Sequence, residues 1–208
     1  MPVPKQERSR ATRTRLVDAA IEILVEQGLA GASTPRIAER AGMSQGALFK
    51  HFPTKDELLA EAVEAMLRAF VAQFERDMAP HVAPNTDLVG AACAVLWKIF
   101  RTREMRATFE IYIAARTDES IALRLVPILD RHRTAILDQA RALFPVRPDD
   151  KDFETAVDAI VYAMQGAALG MFAPRPDLEI EHLAFLERLA RRELGIEAPH
   201  PSHAKRRR

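Results

Sequence analysis

Apolar residues recur every three to four positions along almost the whole chain, and no segment alternates apolar and polar residues long enough to compete as a strand. The pattern predicts an all-α fold of about nine helices. The first should run from about Arg8 to Glu26, with Leu16, Ala19, Ala20, Ile23 and Leu24 on one face and Gly28 stopping it. A second starts near Ser33 or Thr34, either of which suits an N-cap, accepts Pro35 in its first turn and ends at Gly42. A third, of about two turns, follows Ser44 and stops before Pro53, whose ring disfavours a helical Phe52. Thr54 then caps a long fourth helix whose first turn carries Asp56 and Glu57, where the helix dipole favours acids; Pro80 and Pro84 end it. Further helices are expected at about 86–101, 103–116, 119–143, 150–172 and 178–194. Pro127 should kink the 119–143 segment or divide it after about Leu125. Residues 196–208 have no apolar period and read as a basic, disordered tail.

Charge changes this picture by giving the chain a polarity. The formal net charge is only +1, yet residues 1–55 hold nine Lys and Arg side chains against five acids. The remainder is net acidic. A basic end favours a polyanion, because each neutralised phosphate releases a condensed counterion; a solvated basic face is the alternative that charge alone leaves open. No segment approaches the roughly 20 apolar residues of a membrane span, and the N-terminus lacks the apolar run of a secretory signal, so a cytoplasmic protein without membrane contact is expected. The single cysteine, Cys93, lies in an apolar helical stretch and reads as a small core residue. Nothing in the sequence points to a cofactor or a metal.

Reading DNA with a helix pair requires a supporting helix, a tight turn and a second helix whose exposed face meets base edges and phosphates. The segment STPRIAERAGMSQGALFKHFPTKDEL supplies each part. Ile37, Ala38, Ala41, Leu48 and Phe52 can lock the helices together, Gly42 can take the left-handed turn position, and Ser44 can cap the second helix. Gly46 and Ala47 are small enough for close approach to a sugar–phosphate wall. Gln45, Lys50, His51 and Lys55 offer donors to bases and phosphates.

These residues closely resemble the N-terminal domain of the tetracycline-repressor (TetR) family, in the run Ile37-Ala38, Ala41-Gly42-Met43-Ser44, Gly46, Leu48-Phe49, His51-Phe52, Lys55 and an acid-rich start to the next helix. The resemblance implies that Ser44, Gln45, Ala47, Phe49, Lys50 and His51 line the DNA-facing side, with Thr34 and Lys55 on phosphates. One departure stands out: the family commonly carries Tyr where this chain has Phe49, so a phosphate-reaching hydroxyl is missing. An N-terminal arm of Lys5, Arg8, Arg10 and Arg13 could compensate.

The same resemblance divides the chain into a DNA-binding domain at residues 1–55 and a ligand-binding and dimerisation domain at 56–195, followed by the 196–208 tail. It implies a dimeric repressor released from a near-palindromic double-stranded operator by a small apolar or amphipathic effector. The effector is placed among Met66, Phe70, Trp97, Phe100, Phe109, Tyr112, Arg116, Tyr162 and Gln165; a carboxylate such as Glu110 would equally satisfy Arg116. A row of small residues, Ala163, Gly166, Ala167 and Gly170, together with Leu183, Leu186 and Leu189, suggests the homodimer interface, with tight packing inside one subunit as the alternative. An enzyme is disfavoured, since no phosphate loop, metal-spaced His/Cys set or nucleophile elbow is present. His132, His182, His200 and His203 are scattered and read as surface residues.

Overall fold

Caps and glycines decide where the helices of this chain begin and end. The computed structural model describes residues 5–84, 86–144, 151–170, 176–194 and 196. Among them lie α1 (Lys5–Gly31), α2 (Thr34–Arg40), α3 (Gln45–His51), α4 (Lys55–Met78), α5 (Leu88–Phe100), α6 (Arg103–Ala115), α7 (Glu119–Leu143), α8 (Lys151–Ala168) and α9 (Pro176–Glu193). A short 3-10 turn at Ala79–His81 follows α4, and the described residues contain no strand. The all-α class and the helix order match the sequence pattern. The expected tail falls, from residue 197 onward, outside the described residues.

Glycine chemistry sets the junction between α1 and α2. Gly28 adopts φ 69° and ψ −177°, a backbone state open essentially to glycine alone, and interrupts the helical path inside α1. The amide of Leu29, exposed by that break, donates to Glu110 Oε2 of α6 at 2.6 Å. Gly42, at φ 65°, turns the chain between α2 and α3. Ser33 occupies the N-cap position of α2 without a side-chain cap, whereas Ser44 Oγ accepts from Ala47 N at 3.2 Å and Thr54 Oγ1 accepts from Glu57 N at 3.2 Å.

Packing groups the chain into two compact units. The first comprises Met1–Ala72 with Arg101–Ala135. In it α1 packs on α2 and α6, and α2 on α3, around Leu16, Ile23, Leu24, Ile37, Leu48, Phe52, Leu58 and Ile111, all essentially inaccessible to water. Burying such side chains contributes roughly 1.5–3 kcal/mol each. The second unit comprises Gln73–Phe100 with Ile136–Arg208, where α5 packs on α8 and α9, and α8 on α9. Its core includes Val89, Cys93, Phe153, Ile160, Met164 and Ala190. Asp87 and Glu187 both pair with Arg191, whose side chain is only 14% exposed. The guanidinium holds the Asp87 carboxyl below its ordinary value. Cys93 is buried, as the sequence suggests, and desolvation pushes its thiol up to about 11, so it stays protonated and unreactive.

Three expectations are corrected. The helical backbone starts at Lys5, so the basic segment predicted as an arm belongs to α1. Pro127 does not divide α7, which is continuous from Glu119 to Leu143. Leu123, one turn earlier, is exposed, so the carbonyl that loses its amide partner to the proline lies on a wet side of the helix. Finally, α8 ends at Ala168, and Gly170 lies beyond it at φ 59°, a helix-stopping residue instead of a member of the small-residue row.

Candidate nucleic-acid interface

Recognition by a helix requires that its far side be locked and its near side bare. In α3, Leu48 is fully buried and the capping residue Phe52 beside it is too. These two anchor the helix against the first unit. Ser44, Gln45, Gly46, Phe49 and Lys50 are exposed, Gly46 and Lys50 lying opposite Leu48 around the helix, while Ala47, His51 and Lys55 are half-buried. Gly46 has open space around the position a Cβ would take. Phe49 leaves 42% of its surface in water. Thr34, half-buried at the start of α2, accepts a hydrogen bond from Gln45 Nε2 at 3.0 Å. The residues singled out for DNA contact are thus exposed or half-buried, and Thr34 and Gln45 are joined directly.

The basic side chains of this end divide into two groups, a distinction that the sequence did not reveal. Arg13 Nε donates to both carboxylate oxygens of Glu61 on α4, at 2.9 and 2.8 Å, and its Nη1 donates to the His51 carbonyl at 2.7 Å. Its guanidinium also lies 4.1 Å from the centre of the Phe52 ring. Arg15 donates to the Ala41 carbonyl at 2.6 Å, closing the end of α2. Arg36 donates to Gln27, and Arg40 pairs with Glu22 and Glu26. These four arginines therefore have partners inside the head, Arg13 part-buried and Arg15, Arg36 and Arg40 on its surface. Arg13 is thus corrected from a backbone-following arm residue to a structural tie. Lys50 has no hydrogen-bond or ion-pair partner among the described residues and presents its charge outward.

The residues proposed for an effector do not all lie in apolar interior. In the first unit Met66 and Phe70 are buried, and Phe109 and Tyr112 are half-buried with their rings edge to face at 5.8 Å. Burial pushes the Tyr112 phenol above its ordinary value. Arg116, however, is exposed, and Glu110 is engaged with Leu29 instead of Arg116. Thr108, which the sequence reading passed over, is the buried polar side chain of this interior: its hydroxyl donates to the Glu104 carbonyl at 2.9 Å and lies 3.7 Å from Met66 Sδ. In the second unit Phe100 is buried, Trp97 is half-buried with its Nε1 donating to Glu179 at 3.1 Å, and Gln165 is half-buried. Tyr162 is 61% exposed and stands on the outer side of α8 with Ala163 and Gly166.

For the candidate dimer surface, Ala163 and Gly166 are exposed and Ala167 is half-buried. On α9, Leu183 and Leu189 are half-buried, but Leu186 is buried within its own unit. Among its described side chains, the large apolar ones that α9 exposes are Ile180 and Phe185. They fall outside the spacing that links the buried positions, Leu186 and Ala190, and that offset is the signal by which the sequence could have marked them.

His132 is a further correction. It is half-buried in α7, and desolvation lowers its imidazole from 6.5 to about 4, whereas His182 is exposed as expected. His200 and His203 lie outside the described residues. A neutral histidine in the fold and a basic one in the unfolded chain make stability fall as pH drops from 6.5 towards 4. Urea denaturation across that window should show a shallower loss for His132→Leu than for the parent; parallel curves would rule out this contribution.

A short helix presented outward from an all-helical chain, locked by a glycine turn to a supporting helix at the chain's basic end, defines a helix-turn-helix transcriptional regulator. The comparisons with known proteins make the assignment specific. A family profile described as bacterial regulatory proteins, tetR family, matches residues 16–62. An uncharacterized HTH-type transcriptional regulator of Mycobacterium tuberculosis is 32% identical over 192 residues, covering 89% of this chain and 95% of that protein. The HTH-type transcriptional regulator SrpR of Pseudomonas putida is 33% identical over 122 residues, 58% of this chain and 55% of that one. Among solved structures, the multidrug binding protein EbrR complexed with ethidium superposes with a TM-score of 0.65 at 25% identity, over 86% of this chain and 97% of that chain. The chain belongs to the TetR family of bacterial transcriptional regulators. No described helix is long and apolar enough to cross a membrane.

Proposed function

We propose that this regulator is a homodimeric repressor that binds a near-palindromic operator through α3 and is released by a small apolar or amphipathic effector. The observation that carries this reading is the division of labour in the head: Arg13, Arg15, Arg36 and Arg40 are spent on internal contacts, while Gln45, Phe49 and Lys50 are presented outward on a helix anchored from behind. Residues 1–55 form the DNA-reading part and residues 56–195 the part that binds effector and partner subunit. The site residues are Thr34, Ser44, Gln45, Gly46, Ala47, Phe49, Lys50, His51 and Lys55. With Phe49 unable to donate to a phosphate, Lys50 and Lys55 carry the backbone contacts.

A two-fold dimer places two copies of α3 one helical turn of DNA apart, which is why the operator should be nearly palindromic. The exposed Tyr162, Ala163 and Gly166 of α8, with the exposed Ile180 and Phe185 of α9, are the residues we assign to the surface the second copy covers. EbrR is seen complexed with ethidium, and by analogy the effector here is a flat, largely apolar molecule; the buried Met66 and Phe70 and the half-buried Phe109 and Tyr112 of the first unit are the residues we assign to it. An effector that binds better to a conformation with the two heads out of register must, by linkage, lower the affinity for DNA.

A mobility-shift titration with the DNA upstream of its own gene tests the core of the reading. Binding should be specific and fall steeply with salt. Lys50→Ala and His51→Ala should each weaken it by about 1–3 kcal/mol without a comparable loss of folding. Two unchanged isotherms would dismiss this surface as the DNA-reading face.

A further inference from the structure

The hydrogen bond between Gln45 and Thr34 bears on which bases are read. Gln45 Nε2 donates to Thr34 Oγ1 at 3.0 Å, and no other hydrogen bond of this amide is formed among the described residues. Its amide nitrogen has two hydrogens, so one is committed to Thr34 and the other remains, next to an Oε1 with both lone pairs available. The committed hydrogen also fixes which way the amide faces. An exposed, oriented amide with one donor and one acceptor side by side matches a single base edge in the major groove. Adenine presents N7 as acceptor and its N6 amino group as donor, whereas guanine presents two acceptors. Phe49 follows four residues later on the same side of α3, about 6 Å along the axis, or roughly two base steps. Its exposed ring has no polar atom, and the largest apolar group of the major groove is the thymine C5 methyl. Between them Gly46 leaves the helix surface bare, with nothing within 4 Å of where its Cβ would stand.

We propose that Gln45, oriented by Thr34, reads an adenine in each operator half-site, and that Phe49 reads a thymine methyl within about two base steps of it. Thr34 is on this view a positioning residue whose effect appears as base preference at one position, and not only as the uniform affinity of a phosphate contact. The inference rests on the DNA-binding reading above.

Selection of bound duplexes from a randomised pool, with the full-length chain and its variants, tests it. The parent should return a half-site with a strongly preferred adenine. Gln45→Ala should lose preference at that position alone, by roughly tenfold, and Thr34→Val should relax it while Thr34→Ser restores it. On the selected site, 7-deazaadenine in place of that adenine should weaken the parent roughly tenfold and leave Gln45→Ala unmoved. Uracil in place of the neighbouring thymine should weaken the parent about threefold and leave Phe49→Ala unmoved. A selected site whose base preferences are all unchanged in Gln45→Ala, or unchanged in Thr34→Val, overturns this inference alone. A pool from which nothing is enriched overturns it together with the DNA-binding reading. Circular dichroism of each variant separates these outcomes from unfolding.

Discussion

Replacing Gly28 with valine is expected to destabilise the chain by about 2–4 kcal/mol, the sum of a backbone state that valine resists and a lost charge-assisted hydrogen bond. A β-branched side chain at φ 69° and ψ −177° is strained whatever surrounds it. Space is short as well: an added Cβ would stand 2.7 Å from Glu110 Oε2, the atom that accepts from Leu29 N. Glu110 could swing aside, but the amide of Leu29 would then lose its partner. The variant should therefore unfold at a clearly lower urea concentration than the parent. Glu110→Ala removes the hydrogen bond without the strain and should cost less. The two changes should not add, because each breaks the same bond. A Gly28→Val chain within about 0.5 kcal/mol of the parent would show that the junction relaxes freely.

This junction also shows where sequence reasoning reaches and where it stops. That Gly28 ends a regular helix, that Gly42 turns left-handed and that Ser44 and Thr54 cap follow from local chemistry, because each residue acts on backbone groups within a few positions of itself. Part of α3 was legible for the same reason: with Leu48 buried, Gly46 and Lys50 must face away from it. Partner choice over long separations was not. Nothing in the periodicity tells that Arg13 pairs with Glu61, that Arg15 closes α2 through Ala41, or that Glu110 reaches back to Leu29. A basic residue near the N-terminus reads equally well as an arm for phosphate or as a brace, and only the fold distinguishes them. His132 was misread because a lone histidine carries no pattern of its own, and its burial is set by helices distant in sequence. Tyr162 and Leu186 changed sides for a related reason. Each lies near the edge of an apolar stripe, where a rotation of the helix by a few tens of degrees decides between interior and surface.

That last ambiguity makes Gly166→Trp the most informative change outside the DNA-reading head. Within the chain the substitution should be harmless to folding, since Gly166 is exposed, nothing lies within 4 Å of the position a Cβ would take, and tryptophan favours helix more than glycine does. Were the small row packed inside one subunit, the same change would lower stability by overpacking. In the dimer proposed above the outcome reverses: each copy would bring an indole into the interface, and the dimer dissociation constant should rise by at least about thirtyfold. Sedimentation velocity over a concentration series reads that shift directly, and thermal melting of the same samples reads the fold. The DNA head is untouched, yet operator affinity should fall with the dimer, because a lone head retains the contacts of one half-site only. A tryptophan variant that sediments as the parent does, at every concentration, would move the dimer interface away from this face of α8 and α9.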